Sequence, residues 1–118
     1  MTARVLVVDD DESIRAVTEL ALVSEGYEVR TAPHGAAALR VVANEQPDVI
    51  LLDMRMPVMD GWEFARVYRE TPGPHAPIIT VTAASDARAW AAEIGAAGVL
   101  AKPFDIQDLI TVVDQHAR

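Results

Sequence analysis

Four apolar runs in this sequence each lead into a residue that can do chemistry. Val5 to Val8 leads into Asp9 and Asp10, Val49 to Leu52 into Asp53, Ile78 to Val81 into Thr82, and Val99 to Ala101 into Lys102. If the runs are strands of one parallel sheet, their carboxyl ends share an edge, which is where open α/β sheets bind ligands. Three carboxylates gathered at such an edge repel one another, and their pKa values rise until a cation neutralises them. An all-oxygen site with few protein ligands suits Mg²⁺, which keeps several waters and commonly shares its shell with a phosphate. Beside it, Lys102 makes sense as a point charge for one phosphoryl oxygen and the Thr82 hydroxyl as a donor to another. Asp53 is then a candidate nucleophile able to form an acyl phosphate, and the protein's share of that work is positioning and charge neutralisation. Of the ten basic residues nine are Arg, so the placement of Lys102, the only Lys, is informative.

The elements that must position these groups follow from periodicity. Strand-like and helix-like patterns alternate along the chain, as βαβ units of a parallel sheet require. The spacing predicts strands over Arg4 to Asp9, Glu28 to Ala32, Val49 to Asp53, Ile78 to Thr82 and Val99 to Ala101, mostly continuous apolar runs suited to burial on both faces. Helices are predicted over Ser13 to Glu25, Gly35 to Asn44, Gly61 to Arg69, Asp86 to Ile94 and Ile106 to His116. Gly26 should stop the first helix, Pro47 follows the second, and Ser85 and Asp105 are placed as N-caps. Right-handed crossovers then give an α/β doubly wound sandwich, read as one domain over residues 1–118.

Composition excludes several classes of function. A net charge of -8 argues against nucleic acid, whose phosphates require basic patches. No apolar stretch approaches the ~20 residues that span a bilayer, so no membrane segment is expected. Asp9, Asp10 and Asp11 interrupt the first apolar run too early for a signal peptide. The lack of cysteine removes disulfide and thiolate-metal readings, and a cytoplasmic location is expected. His34, His75 and His116 share no spacing with one another or with the carboxylates; they read as surface residues and speak against zinc and against a phosphotransfer imidazole. Trp90 falls at helical spacing with Ala87, Ala91 and Ile94, which favours a core stripe over an exposed partner anchor. Alone, the acidic run over residues 9–12 reads as a solvated helix start, the role expected for Asp11 and Glu12. The joint placement at four strand ends is what marks a site.

Four motifs occur in one order: Val-Asp-Asp at 8–10, Leu-Leu-Asp-Met-Arg-Met-Pro-Val-Met-Asp-Gly at 51–61, Val-Thr-Ala at 81–83 and Lys-Pro-Phe at 102–104. On these the chain resembles the response-regulator receiver family of two-component signalling, over essentially its whole length. The resemblance implies a flavodoxin-like (βα)5 fold with strand order 2-1-3-4-5, an order shared by the family rather than worked out from these residues. It implies Asp53 as phosphoacceptor, Asp9, Asp10 and Asp53 as Mg²⁺ ligands, and the backbone carbonyl of Arg55 as a further ligand. It places Thr82 and Lys102 against the phosphoryl group and makes the Lys102–Pro103 peptide cis. Upstream it implies a histidine kinase or phosphotransfer protein, with small phosphodonors as substitutes. Downstream it implies a protein target docking on the face of helix four, strand five and helix five, no output domain being expected within the chain.

The chain also departs from the family. Many receivers carry Tyr or Phe three residues before the lysine, a ring that turns inward when the Thr hydroxyl moves; here Val99 stands there. Phosphorylation is still expected, with the signal carried by a backbone shift or a rearrangement of helix four. Arg55 and Ala84 border the path of attacking water, and neither is a carboxylate or carboxamide, so slow loss of the phosphoryl group is expected. Three rival readings remain. A phosphatase of the haloacid-dehalogenase type needs a second acid two residues after its nucleophile, where Arg55 stands. A flavin-binding module needs a Gly- or hydroxyl-rich phosphate loop after the first strand, where three aspartates stand. A receiver that only binds partners is opposed by the presence of all five site residues, Asp9, Asp10, Asp53, Thr82 and Lys102.

Overall fold

Short runs rich in β-branched Val and Ile lose rotamer freedom in a helix and pack well on a pleated sheet, which favours their pairing as strands. The computed structural model describes residues 2–83 and 85–117. Its elements alternate as β1 (Arg4–Val8), α1 (Glu12–Ser24), β2 (Glu28–Ala32), α2 (Gly35–Asn44), β3 (Val49–Asp53), α3 (Gly61–Glu70), β4 (Ile78–Ala83), α4 (Ala87–Ile94), β5 (Gly98–Lys102) and α5 (Ile106–His116). All strand pairs are parallel and the order is β2-β1-β3-β4-β5, the flavodoxin-like arrangement. The register decides where chemistry gathers. Val8 pairs with Leu52, Asp53 with Val81, Thr82 with Ala101 and Ala83 with Lys102, so the polar ends of β1, β3, β4 and β5 stand within one rung of each other.

Alternation along each strand divides the core between the two faces. Leu6, Val8, Ile50, Leu52 and Ile78 pack with α2, α3 and α4 through Ala38, Val42, Phe64, Tyr68 and Ile94. Val5, Val7, Val49, Leu51, Ile79 and Val81 pack with α1 and α5 through Leu22, Leu109 and Val113. β3 is buried over its whole length, which holds its last residue, Asp53, on a rigid support. Thr80 is fully buried and its hydroxyl has no hydrogen-bond partner. No helix among the described residues is long and apolar enough to cross a membrane.

Helix starts follow side-chain chemistry. Asp11 accepts from the Ile14 N–H, Asp60 from Glu63 and Asp105 from Asp108, each satisfying an amide that the first turn leaves unpaired. His34 does the same for α2, its Nδ1 accepting from the Ala37 N–H at 3.2 Å; it is therefore a half-buried structural cap rather than a plain surface residue. Ser85 does not cap α4 as expected. The cap position falls on Asp86, whose backbone is already helical (φ -113°, ψ -11°) and whose side chain makes no capping bond, while the Ser85 hydroxyl faces the Asp86 carboxylate at 3.4 Å. The other boundary differences are of one or two residues. β1 stops at Val8, although the Asp9 N–H still donates to the Ala32 carbonyl, and α1 starts earlier than expected because Asp11, not a later residue, supplies its cap.

Gly61 joins α3 to the end of β3. Its N–H donates to the Met54 carbonyl at 2.9 Å, and a Cβ there would lie 2.7 Å from Met54 Sδ and 2.8 Å from the Asp53 carbonyl. Gly61→Ala is therefore expected to lose about 2 kcal/mol or more of stability by overpacking. Thr80→Val, which removes the unpartnered hydroxyl at equal shape, is expected to gain about 1 kcal/mol. Urea unfolding midpoints of the two variants, moving in opposite directions, check both.

Candidate functional site

The site lies at the carboxyl ends of β1, β3, β4 and β5. Asp9 and Asp53 are buried at their strand ends, and Asp10 is exposed at the mouth. One carboxylate oxygen from each of the three lies within 4.8 Å of the others, spacing at which a single cation can reach all of them. Lys102 enters from the end of β5: its Nζ donates to Asp9 Oδ2 at 2.9 Å and to Asp53 Oδ2 at 3.3 Å. Thr82 is 4% exposed and stands one rung beyond the Asp53–Val81 pair. The Lys102–Pro103 peptide is cis, as the motif implies.

Local structure holds these groups in place. The Asp11 N–H donates to Asp9 Oδ1 at 2.9 Å, and the Arg15 guanidinium from the first turns of α1 donates to the Asp9 carbonyl at 2.7 Å. The Asp9 carboxylate is thus fixed on one oxygen by backbone and on the other by Lys102. Asp53 is pushed up from 3.8 to about 6. Burial is the largest cause and is reinforced by the neighbouring Asp9 and Asp10 charges, while the Lys102 ammonium opposes it. For Lys102, burial pulls the amine down, but its hydrogen bond to Asp9 and the charges of Asp53 and Asp9 outweigh this and hold it above the ordinary lysine value. The arrangement is that of a buried carboxylate in a crowded negative pocket. Asp9, Asp10 and Asp53 fit a hard divalent cation, and the single ammonium suits an incoming anionic oxygen.

Arg55, two residues past Asp53, lines a cavity of about 400 Å³ together with Asp10, Met56 and Trp62. Its guanidinium carbon sits 4.8 Å from the centre of the Trp90 ring. Trp90 meets Trp62 edge-on, with ring centres 4.9 Å apart, and the Trp62 Nε1–H donates to Glu93 at 2.7 Å. Trp90 is therefore half-buried at the border of the core stripe, whose other members Ala87, Ala91 and Ile94 are buried. Sequence reasoning placed Asp9, Asp10, Asp53, Thr82 and Lys102 at this edge, with Arg55 added by the family resemblance, but missed the Arg15 contact and the Arg55–Trp90–Trp62–Glu93 cluster. Residues on three different elements make that cluster, and only an Arg beside the acceptor motif hinted at it. His75 is exposed and His116 half-buried beside Gly98, both remote from the carboxylates. Ala84, the other position expected to border attacking water, lies outside the described residues.

Comparison with known proteins gives one answer. The family model for the response regulator receiver domain matches residues 5–114. The DNA-binding transcriptional regulator NtrC of Proteus hauseri is 42% identical over 113 residues, covering 94% of this chain and 24% of that protein. The response regulator MprA of Mycobacterium sp. (strain KMS) is 39% identical over 112 residues, 93% of this chain and 48% of that protein. The chain thus spans about a quarter to a half of the length of these relatives. Among solved structures, chemotaxis response regulator CheY4 of Vibrio cholerae superposes with a TM-score of 0.85 at 35% identity, covering 98% of each chain. A CheY-like receiver domain protein from Methanospirillum hungatei JF-1 gives 0.84 at 29% identity, covering 98% and 93%.

The raised Asp53 acidity has a stability consequence. Between pH 3.8 and about 6 the folded chain binds more protons at Asp53 than the unfolded chain does, so this group lowers stability as pH rises through that window and keeps it lowered above. Asp53→Asn is expected to be more stable than the parent at pH 7.5 by about 1–2 kcal/mol, discounted for solvent at the open mouth. The difference should vanish near pH 4. Denaturant titrations at the two pH values check it, and an equal gain at both would remove charge crowding as the cause.

Proposed function

The chain belongs to the response regulator receiver domain family, and from that premise we propose that it is a phosphoacceptor switch that takes a phosphoryl group onto Asp53 with Mg²⁺. Receiver domains act in two-component signalling and take their phosphoryl group from histidine kinases. The observation that carries the reading is Lys102 bridging Asp9 and Asp53 inside a cluster of three carboxylates. One ammonium balances only part of that charge, so the pocket is built for a further cation and for an anionic guest.

In the proposed reaction a donor such as a phosphohistidine presents its phosphorus at the mouth of the site. An Asp53 oxygen forms the new bond to phosphorus, the bond between phosphorus and the donor atom breaks, and the leaving group departs with that electron pair. Lys102 turns from Asp53 to a phosphoryl oxygen, exchanging one charge-assisted bond for another, while Asp9 keeps its end of the amine in reach. The Thr82 hydroxyl donates to a second phosphoryl oxygen. Asp9, Asp10, Asp53 and the Arg55 carbonyl would hold Mg²⁺, which would supply the remaining positive charge beside the phosphoryl oxygens. Position 55, two residues past Asp53, carries Arg rather than a second acid, so that side chain supplies no base to activate water against the acyl phosphate. The group is thus held as a signal rather than turned over, which favours a switch over a phosphatase.

Downstream, the proposed target is a protein that docks on α4, β5 and α5. A groove of about 450 Å³ lies between β5 and α5, lined by Val99, Ala101, Pro103, Thr111 and Val112. It offers apolar surface within a few residues of Lys102, close enough to sense its movement. The chain's acidity suits a partner with a basic rim.

Intact-mass measurement after incubation with acetyl phosphate tests the reading directly. A gain of one phosphoryl group that requires both Mg²⁺ and Asp53, and is lost in Asp53→Asn, is the expected result; no gain under any condition would demote the chain to a partner-binding pseudo-receiver. After removal of the donor, the gained mass should decay over minutes or longer. Decay within seconds would contradict the role given to Arg55.

A further inference from the structure

Resting on the phosphoacceptor reading for what fills the site, we propose that Arg55 is the link from the site to α4. It lies on the Trp90 ring while the site is empty of phosphoryl group and leaves that ring when Asp53 is phosphorylated. The two ends of this link are on one residue. The Arg55 backbone follows Asp53 by two positions and lines the same cavity as Asp10, while its guanidinium carbon rests 4.8 Å from the Trp90 ring centre on α4.

Trp90 is not an isolated ring. It packs on the α3–α4 side of the core, meets Trp62 edge-on at 4.9 Å, and Trp62 in turn donates to Glu93 on the next turn of α4 at 2.7 Å. A change at Arg55 therefore reaches the helix as well as one side chain. α4 is also the helix least held at its start. At eight residues it is the shortest helix described, and it alone among the helices lacks a side-chain cap bond at its start. A helix so short is stable only through its packing, so modest changes in packing move it.

Competition for the guanidinium sets the direction. Over a half-buried indole facing solvent a cation gains a modest attraction, whereas a phosphoryl group offers two oxygens for charge-assisted, bidentate hydrogen bonds, the stronger partner for Arg. Arg55 is exposed and free to swing between them. The same arrangement gives the chain a route that does not pass through position 99, where Val99 has no ring to turn.

The test uses Trp62→Phe, which leaves Trp90 as the only tryptophan. Emission and intact mass are read from the same samples as acetyl phosphate and Mg²⁺ are added. The Trp90 emission is expected to shift in proportion to the phosphoryl group taken up. In Trp62→Phe with Arg55→Gln, the emission should start near the phosphorylated value and lose most of its shift per phosphoryl group gained; Arg55→Lys, which keeps a cation, should restore part of it. An equal shift per phosphoryl group with and without Arg55, or uptake that leaves Trp90 silent, overturns the link. A Trp90 shift with beryllofluoride that depends on Arg55, with no mass gain in any sample, overturns the phosphoacceptor reading and leaves the link standing. Hydrogen exchange over residues 87–94 in the unsubstituted chain covers the case in which Trp62→Phe fails to fold. Faster exchange on uptake supports release of α4, and unchanged exchange overturns it.

Discussion

Everything at the functional edge of this protein is arranged around three carboxylates that share one ammonium. Asp9, Asp10 and Asp53 present oxygens within 4.8 Å of one another, and Lys102 reaches two of the three. Water would dissolve such repulsion, but Asp9 and Asp53 are buried, so the residual negative charge stays concentrated. Asp53 carries the strain, with its carboxyl raised to about 6. A site left with excess negative charge is unfavourable for the fold on its own and favourable for a guest that brings positive charge. The crowded charge at this edge is therefore free energy that a bound cation would recover.

The parallel sheet makes that crowding possible. Each strand ends at the same edge because right-handed helical crossovers return the chain to the opposite edge before the next strand begins. The register then brings the ends of β1, β3, β4 and β5 within one rung, a coincidence no single hairpin could produce. The support beneath is apolar on both faces and close-packed, with β3 buried throughout. Gly61 completes the support on the α3 side, since its close approach to Asp53 and Met54 leaves no room for a side chain. The repulsion is tolerated because apolar clusters on both faces of the sheet hold its buried members away from solvent.

Much of this was legible in the sequence because it rests on local signals. The strands are continuous apolar runs, the site residues sit directly after them, and Asp105 and Asp11 announce helix starts through their side chains. The strand order was not derivable from these runs and came with the family likeness. What escaped depends on backbone geometry or on pairs distant in sequence. Ser85 looks like a cap, but Asp86 already has helical dihedral angles, and an N-cap needs an extended backbone for its oxygen to reach back to the first turn. His34 caps α2 through a ring nitrogen, a use that residue statistics rank low. Val58 occupies the left-handed region at φ 69° in the loop between β3 and α3, although a β-branched residue gives no sign of it. Arg55 and Trp90 are thirty-five positions apart, and nothing in either neighbourhood marks them as a pair.

That last pair bears on how a rigid site can have a mobile readout. Asp9 and Asp53 are buried at the ends of β1 and β3, and Asp9 is further held by hydrogen bonds from Asp11 and Arg15, so little movement is available to these two carboxylates. A switch needs a second element whose two positions differ by only a little in free energy. Among the described helices α4 best meets that need, being short and without a side-chain cap at its start, and joined to the site loop and to α3 through an exposed Arg, a half-buried Trp and an exposed carboxylate. Where an aromatic residue at position 99 would have tied the hydroxyl of Thr82 to the surface of β5, Val99 leaves that route without a moving part. On the proposed reading, movement falls instead to the next helix over, where contacts at its start are weak, while Asp53 stays on its buried strand.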